Sequence, residues 1–283
     1  MITDEQINIY KQDGFIIIPD VLNEEEIKYY RNCFHNELNA IGYNYDDIIF
    51  HGKYSQVNFA NKRNDLSNSF YYNWKMELQA DERIYQIWKK IILGTKDMYN
   101  IEDCTDVLPF IDRVGLRFPD HIYAEGGLNL HLDKLGMKFR PIQGFLSLTD
   151  QLTNKHGGLQ LVKGFHNSNK FHSDIIGMNL KSNQYLASKL ENIHVRAGSL
   201  VLWDYRLPHK TNDKFTSYDT REVIYLSYLP NTLQNKSYSK EQWSNFLNSI
   251  PPPDFPHDKS NCVFNYEYQK ELSPEATKRY SCK

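Results

Sequence analysis

The spacing of hydrophobic residues changes at about residue 100, and this change predicts two kinds of structure. Before that point apolar residues recur every three to four positions, which is the spacing of helices that pack one face against a core. From Ile111 to Leu229 apolar and polar residues alternate, with Gly, Pro, Asn and Asp at short intervals. The pattern predicts helices followed by an antiparallel sandwich or barrel.

Capping boxes indicate where the first helices begin. Thr3 with Gln6 forms one in front of the first helix, and Asn23 with Glu26 forms another in front of the second. The segment between them, GFIIIPDVL, is rich in β-branched residues and closes on a proline, which predicts an edge strand. A third helix is predicted over Asn73–Leu93.

Six strands are predicted in the alternating region: IDRVGLRF, GLNLHLDK, IQGFLSLTD, GLQLVKG, SLVLWDY and EVIYLSYL. After Pro230 the alternation fades, and SKEQWSNFLNSI predicts one helix. No repeat or low-complexity linker divides the chain. We therefore expect one domain over 1–283, with helical support in 1–100, the β core in 105–230, and a C-terminal helix and tail packed on that core in 231–283.

Composition excludes several functional classes. The 33 basic and 35 acidic residues nearly balance and form no basic stripe, so no nucleic-acid partner is expected. The N-terminus lacks the apolar core of a secretory signal, and no run approaches the roughly 18 apolar residues that span a bilayer. The four cysteines form no CxxC pair, which argues against a zinc knuckle. A soluble cytoplasmic protein is expected.

The strand LNLHLDK carries unusual residues at its polar positions. His131 and Asp133 are two residues apart, so on a strand they would share one face. His209, which follows Pro208 at the end of a distant apolar strand, is the best third partner. Two histidines and a carboxylate on one side of a metal, with open positions opposite, are typical of non-haem Fe(II) oxygenases. The alternative for an isolated HxD is a solvated strand face.

The open positions of such a site would take O2 and a bidentate co-substrate. For 2-oxoglutarate, a fixed cation is also needed at the far carboxylate. Arg221 opens the strand after His209 and is predicted to form a bidentate pair with that carboxylate. Thr211 is predicted to add a hydroxyl, with a plain turn threonine as the alternative. For Arg221 the alternative is a surface ion pair with Asp219 or Glu222.

Three further residues are weaker candidates. Arg117 shares an alternating strand with Arg113, and one of the two is expected to face the cavity and the substrate. Lys134 follows the HxD and is a candidate contact for an anionic substrate, with a solvated loop as the alternative. His166 is predicted to order its loop rather than to bind metal.

These segments resemble the phytanoyl-CoA dioxygenase family of Fe(II)- and 2-oxoglutarate-dependent oxygenases. The resemblance lies in the opening TDEQINIYKQDGFIIIPDVLNEEEI, the HLD triplet, the central FLSLTDQLTNKHGGLQLVKGFHN, the distal GSLVLWDYRLPHKTND, and Arg221 at the family's 2-oxoglutarate arginine. It implies a mainly β fold with flanking helices, built on a double-stranded β-helix (jelly roll, cupin-like) core. One departure is Lys163-Gly164-Phe165-His166, where the family commonly has Pro-Gly-Ser-His.

The resemblance implies a dioxygenase that uses Fe(II), 2-oxoglutarate and O2 to hydroxylate a C–H bond of a small molecule, with release of succinate and CO2. Because Asp133 stands where related halogenases have a small residue, hydroxylation is expected rather than halogenation. Two alternatives stay open: a catalytically inactive jelly-roll binding module, and a 2-oxoglutarate-independent cupin-type metal enzyme. The family's substrates range from fatty acyl-CoA thioesters to amino-acid-like solutes and natural-product intermediates, so fold alone does not select one. The polar loop 43–68 and the tail after Pro230 are predicted to set specificity.

Overall fold

Ten β-strands and eight α-helices make up the described part of the protein, a computed structural model covering residues 2–40, 70–119, 129–133, 136–168, 183–254 and 271–281. The helices are α1 (Asp4–Asp13), α2 (Glu24–Ala40), α3 (Asn73–Ala80), α4 (Glu82–Gly94), α5 (Lys96–Tyr99), α6 (Gln184–Ala187), α7 (Leu233–Leu247) and α8 (Pro274–Tyr280). The strands are β1 (Phe15–Ile18), β2 (Val107–Phe110), β3 (Val114–Arg117), β4 (Ile142–Ser147), β5 (Leu159–Leu161), β6 (Glu191–Asn192), β7 (Leu200–Asp204), β8 (His209–Thr211), β9 (Arg221–Tyr225) and β10 (Ser227–Pro230).

The strands form three antiparallel sheets with helices outside them, which confirms the predicted fold class. Their orders are β1-β7-β4-β9-β3, β6-β5-β8 and β10-β2, and the described strands do not close into a barrel. The predicted edge strand in GFIIIPDVL is β1, at the margin of the five-stranded sheet. Pro19 lies just beyond it, where its missing N–H interrupts no ladder.

Alternation along β4 separates the two faces of the five-stranded sheet. Ile142 and Leu146 belong to the core that packs against α1 and α4. Phe145 belongs to a second core, formed with residues of the three-stranded sheet. Because successive strand residues point to opposite faces, Gln143 shares the inner face with Phe145.

Both predicted capping boxes are present. The Gln6 N–H donates to Thr3 Oγ1 at 3.1 Å, and the Thr3 N–H donates to Gln6 Oε1 at 2.8 Å. Asn23 and Glu26 exchange the corresponding bonds, each 2.9 Å long. These reciprocal bonds satisfy N–H groups that have no partner inside the helix.

The prediction of one helix over Asn73–Leu93 is wrong, because the chain breaks at Asp81 into α3 and α4. The Asp81 side chain accepts the Arg83 N–H at 2.7 Å and so caps α4, a competing role that apolar spacing does not reveal. The predicted C-terminal helix begins earlier than expected, after the N-cap Thr232. None of the described helices is long and apolar enough to cross a membrane.

Two strands differ from expectation. Strand β2 was not predicted, because Pro109 lies within it and proline disfavours a strand. In the structure β2 pairs only with β10, in a two-stranded sheet where proline is tolerated. The predicted strand GLNLHLDK is described from Asn129 to Asp133 and forms only a single bridge, between His131 and His209. Its other residues, and the predicted loop 43–68, lie outside the described residues.

Helix α2 is held to the five-stranded sheet by a buried carboxylate. Glu222 on β9 accepts a hydrogen bond from Arg31 Nε at 3.0 Å and lies 3.0 Å from His35 Nε2. Burial alone would raise the pKa of Glu222, but the hydrogen bonds to His35 and Arg31 outweigh it and lower the pKa from 4.5 to about 2. The charged carboxylate therefore stabilises the folded chain.

We expect the Glu222 clamp to make the protein sensitive to acid. Because the pKa is lower in the folded chain, its contribution is present above pH 4.5 and is lost as the pH falls towards 2. The contribution is about 3 kcal/mol. Denaturant unfolding of Glu222→Gln across this range should show a flatter loss of stability than the wild type. Asp219→Asn, at an exposed neighbour, should follow the wild-type curve, and parallel curves for Glu222→Gln would contradict the assignment.

Candidate metal centre

A backbone bridge brings the predicted ligands of the HxD segment beside the distal histidine. His131 and His209 exchange two backbone hydrogen bonds, each 3.0 Å long, at the start of β8. Asp133 points to the same side as His131, with 3.4 Å between Asp133 Oδ1 and His131 Nε2. One ligand atom from each of the three side chains lies within 4.8 Å of the other two.

The two imidazoles are oriented in the same way. Nδ1 of His131 lies 2.6 Å from the Asn129 carbonyl oxygen, and Nδ1 of His209 lies 3.0 Å from the Leu207 carbonyl oxygen. A carbonyl oxygen only accepts, so each Nδ1 carries the proton and donates it. In this tautomer Nε2 is the ring atom of each histidine that would ligate a metal.

The protonation states of the cluster suit metal binding. Burial lowers the pKa of His209 to about 4, and the neighbouring His131 adds to this effect. For Asp133, burial would raise the pKa, but the neighbouring His131, His209 and Arg140 side chains outweigh it and hold the pKa well below its usual range. At neutral pH His209 is therefore neutral and Asp133 is a carboxylate, the forms in which both side chains ligate metals.

A buried network supports the turn that precedes His209. The Asp204 carboxylate at the end of β7 accepts hydrogen bonds from the backbone N–H and the guanidinium of Arg206. Tyr99 donates to the same carboxylate at 2.8 Å, and its hydroxyl lies 2.9 Å from that of Tyr10 on α1. The N-terminal helix is thus connected to the turn that positions His209.

A cavity of about 410 Å³ opens at the three side chains. This volume is near the small end of the range for small-molecule sites. Both Thr211 and Arg221 line it, together with the aromatic rings of Phe110, Phe145 and Tyr225. Two of the residues predicted from the sequence to hold a co-substrate therefore share one cavity with the cluster of His131, Asp133 and His209.

Arg221 has a buried nitrogen that no described residue satisfies. The side chain is 2 % exposed, and its Nε donates to Gln151 Oε1 at 2.9 Å. Its guanidinium carbon lies 5.3 Å from the centre of the Phe145 ring. Nη1 is buried without a hydrogen-bond partner among the described residues. An unpaired buried guanidinium nitrogen is costly, so this geometry favours an anion in the cavity.

The alternative of a surface ion pair for Arg221 does not hold for the described residues. Glu222 points to the other face of the sheet and pairs with Arg31 and His35. Asp219 is exposed and lies 4.0 Å from Arg31. Both neighbouring acids are thus directed towards α2, whereas Arg221 is directed into the cavity.

The expectation that Arg117 contacts substrate is wrong. Its guanidinium donates to the backbone carbonyls of Asn212, Asp213 and Gly157, and it lies over the Phe215 ring. Those contacts fix the loop after β8 and direct the side chain away from the cavity, which Arg113 lines instead.

Of the remaining candidates, Lys134 lies outside the described residues. His166 is 5 % exposed, and its Nε2 lies 3.0 Å from the Lys11 carbonyl oxygen, so it joins its loop to α1 as predicted. Sequence reasoning missed Gln151, whose amide joins Arg221 to Ser147 on β4. Its place after the turn in SLTDQ was the only signal, and that signal is not specific.

The donor set fits a divalent iron ion, and the cavity fits 2-oxoglutarate. Ligands about 2.1 Å from one metal lie no more than about 4 Å apart, close to the separation of these three groups. Two imidazoles and one carboxylate leave positions for a chelating co-substrate. The unpaired nitrogen of Arg221 suits its second carboxylate.

Comparison with family models and curated proteins gives one match. The model of the Gig2-like family matches residues 163–280, which include His209, Thr211 and Arg221. This is less than half of the chain. No curated protein matches it. Membership of the phytanoyl-CoA dioxygenase family stays a prediction.

Solved structures extend the likeness over most of the chain. GIG2 (DUF1479), the product of GlcNAc inducible gene 2 of Candida albicans, is 16% identical, with a TM-score of 0.71 over 98% of this chain and 76% of that one. The epimerase SnoN, in complex with Fe3+, alpha-ketoglutarate and nogalamycin RO, is 14% identical, with a TM-score of 0.56 over 81% and 84%. The non-haem alpha-ketoglutarate-dependent carbocyclase SnoK is 16% identical, with a TM-score of 0.54 over 89% and 92%. The chain therefore has the jelly-roll fold of these enzymes.

Proposed function

We propose that the protein is an Fe(II)- and 2-oxoglutarate-dependent dioxygenase that hydroxylates a C–H bond of a small molecule. His131, Asp133 and His209 would hold the iron, and Arg221 with Thr211 would hold the distal carboxylate of 2-oxoglutarate. When bound, the iron and co-substrate supply the oxidising chemistry, in which O2 is consumed and 2-oxoglutarate becomes succinate and CO2.

One observation carries this proposal. The same small cavity contains a cluster with the composition of an iron site and a buried guanidinium with an unsatisfied nitrogen. A metal enzyme that does not use 2-oxoglutarate has no need for that guanidinium. A binding module without activity has no need for two histidines whose Nδ1 protons are both held by backbone carbonyls, which is the orientation of a metal-ligating imidazole.

The residues of this chain would bind and orient the reactants. The backbone bridge between His131 and His209 fixes both imidazoles before metal arrives. Gln151 holds Arg221 in the cavity through its Nε, which leaves Nη1 for the co-substrate. Because Asp133 would be the third ligand, oxygen insertion is favoured over halogenation.

The first test is a spectrum of the protein with Fe(II) and 2-oxoglutarate in the absence of oxygen. We expect a weak visible charge-transfer band that appears only when both are present. Folded protein that binds Fe(II) but shows no band with 2-oxoglutarate would be a metal enzyme of another kind. Protein that binds neither would be a binding module, and either result would contradict the proposal.

A further inference from the structure

The register of β4 and β9 places Arg221 and Gln143 at opposite ends of the cavity. Phe145 on β4 pairs with Tyr225, and Arg221 lies four residues before Tyr225 on β9. Gln143 lies two residues from Phe145 in the opposite direction. Along the sheet the backbones of Gln143 and Arg221 are thus about 20 Å apart. We call the end near Gln143 the far end of the cavity.

Ser227 lies beside Gln143 at the far end. The Leu226 N–H donates to the Gly144 carbonyl at 3.1 Å, which continues the register of β4 and β9 by one residue. The next pair in that register is Gln143 with Ser227, and both residues line the cavity. Adjacent strands therefore place two polar residues side by side in the cavity lining.

Neither side chain has a hydrogen-bond partner in the described part of the chain. Gln143 is 3 % exposed, and its amide bonds to none of the residues described. The Ser227 hydroxyl is fully buried and unsatisfied among the described residues, whereas the Gln143 amide reaches the cavity. Buried amides and hydroxyls are nearly always hydrogen-bonded, because leaving them unpaired destabilises the fold. The far end therefore lacks a partner for one amide and one hydroxyl.

Charged groups complete the far end. Phe110 pairs with Ser227 across the two-stranded sheet, and the cationic heads of Lys138 and Arg140 lie 4.8 Å and 4.6 Å from its ring centre. Lys138 forms an ion pair with Asp254, and Arg140 forms one with Asp112 at 2.8 Å. An acyl chain at the far end would therefore lie against two ion pairs and not against an apolar surface.

We propose that the substrate is a compact polar molecule with hydroxyl or amide groups, which Gln143 and Ser227 hydrogen-bond at the far end. The inference rests on the proposed function, since it names the substrate class of the same cavity. It separates this chain from enzymes that take fatty acyl thioesters, because a long acyl chain would leave both polar groups unsatisfied.

Thermal unfolding of two glutamine variants tests whether Gln143 faces a ligand. Gln143→Leu removes an unpaired amide, so the Tm should stay the same or rise. The matched control is Gln79→Leu, because the buried Gln79 amide donates to the carbonyls of Phe110 and Ser227 and accepts from Tyr280. That variant should lower the Tm by about 5 °C or more. An equal fall in both variants would overturn the proposal.

Ligand titrations test the substrate class. The protein is first loaded with Fe(II) and 2-oxoglutarate in the absence of oxygen. One set of polar probes then consists of glucose, xylitol and glutamine, and a second, acyl set consists of palmitate and palmitoyl-CoA. A polar probe should shift the visible band, and Gln143→Leu should need at least about tenfold more of that probe. A shift with palmitate or palmitoyl-CoA, or an equal response of the variant, would overturn the proposal.

The two proposals fail in different ways. If the proposed function is wrong, the wild-type protein will show no visible band with Fe(II) and 2-oxoglutarate, before any probe is added. If only the substrate inference is wrong, the wild-type protein will show the normal visible band. In that case either Gln143→Leu will have a lower Tm, or palmitate or palmitoyl-CoA will shift the band. The Tm comparison needs neither iron nor substrate. It therefore tests whether the Gln143 amide stabilises the fold, whatever the spectra show.

Discussion

Replacing His209 with alanine is expected to lower iron affinity by more than about 100-fold and to abolish the visible band. Changes to groups that merely orient a metal ligand typically cost tenfold to 100-fold in affinity, so removal of a ligand should exceed that range. His209 supplies one of only three protein ligands in the proposed site. Substrate-dependent succinate release should disappear along with the band.

The control is an exposed histidine outside the cavity. His194 hydrogen-bonds to Asn154 at the surface, so His194→Ala should retain the band and the iron affinity of the wild type. Circular dichroism should be the same for both variants, since the two backbone bonds of His209 do not involve its side chain. Folded His209→Ala protein that keeps the band would remove His209 from the metal site.

Replacing Arg221 with alanine is expected to weaken 2-oxoglutarate binding by at least about 30-fold, which corresponds to about 2 kcal/mol. Truncation of one partner in a buried, hydrogen-bonded charge pair costs that much or more, because the other charge loses its partner. Iron binding should be almost unaffected, since Arg221 lies outside the cluster of three ligands. The titration of the visible band with 2-oxoglutarate measures the change.

Arg221→Lys separates charge from shape. Lysine keeps the positive charge but loses the planar fork of two parallel donors, so 2-oxoglutarate affinity should fall between the wild type and the alanine variant. Lysine also cannot reproduce the geometry of the bond from Nε to Gln151. An Arg221→Ala protein that binds 2-oxoglutarate as tightly as the wild type would show that another cation holds the co-substrate.

Features that depend on neighbouring residues in the sequence could be predicted. The alternation in LNLHLDK placed His131 and Asp133 on one face, and their side chains do converge. The capping boxes and the edge strand β1 were equally readable, because each depends on a few adjacent residues. The distant His209 and Arg221 were reachable because each stands at the end or start of a strand with a distinct apolar pattern.

Features that depend on which strands become neighbours could not be predicted. Arg117 is on the predicted strand, yet its guanidinium meets the carbonyls of a loop about 95 residues away, and no local pattern encodes that contact. Gln143 looked like any polar residue in an apolar strand. Its significance arises only because β4 and the start of β10 place Gln143 and Ser227 in the lining of one cavity, where neither side chain bonds to a described residue.

The bridge between His131 and His209 also affects whether the protein stays folded when metal is removed. The two residues are 78 positions apart in the sequence, so a metal between them would close a long loop. Here two backbone hydrogen bonds close that loop. The conformational entropy of closure is therefore lost during folding and not when metal binds. In zinc fingers, by contrast, the metal itself drives folding and its removal unfolds the domain. Iron should therefore leave and return to this site as a reversible ligand of a folded protein.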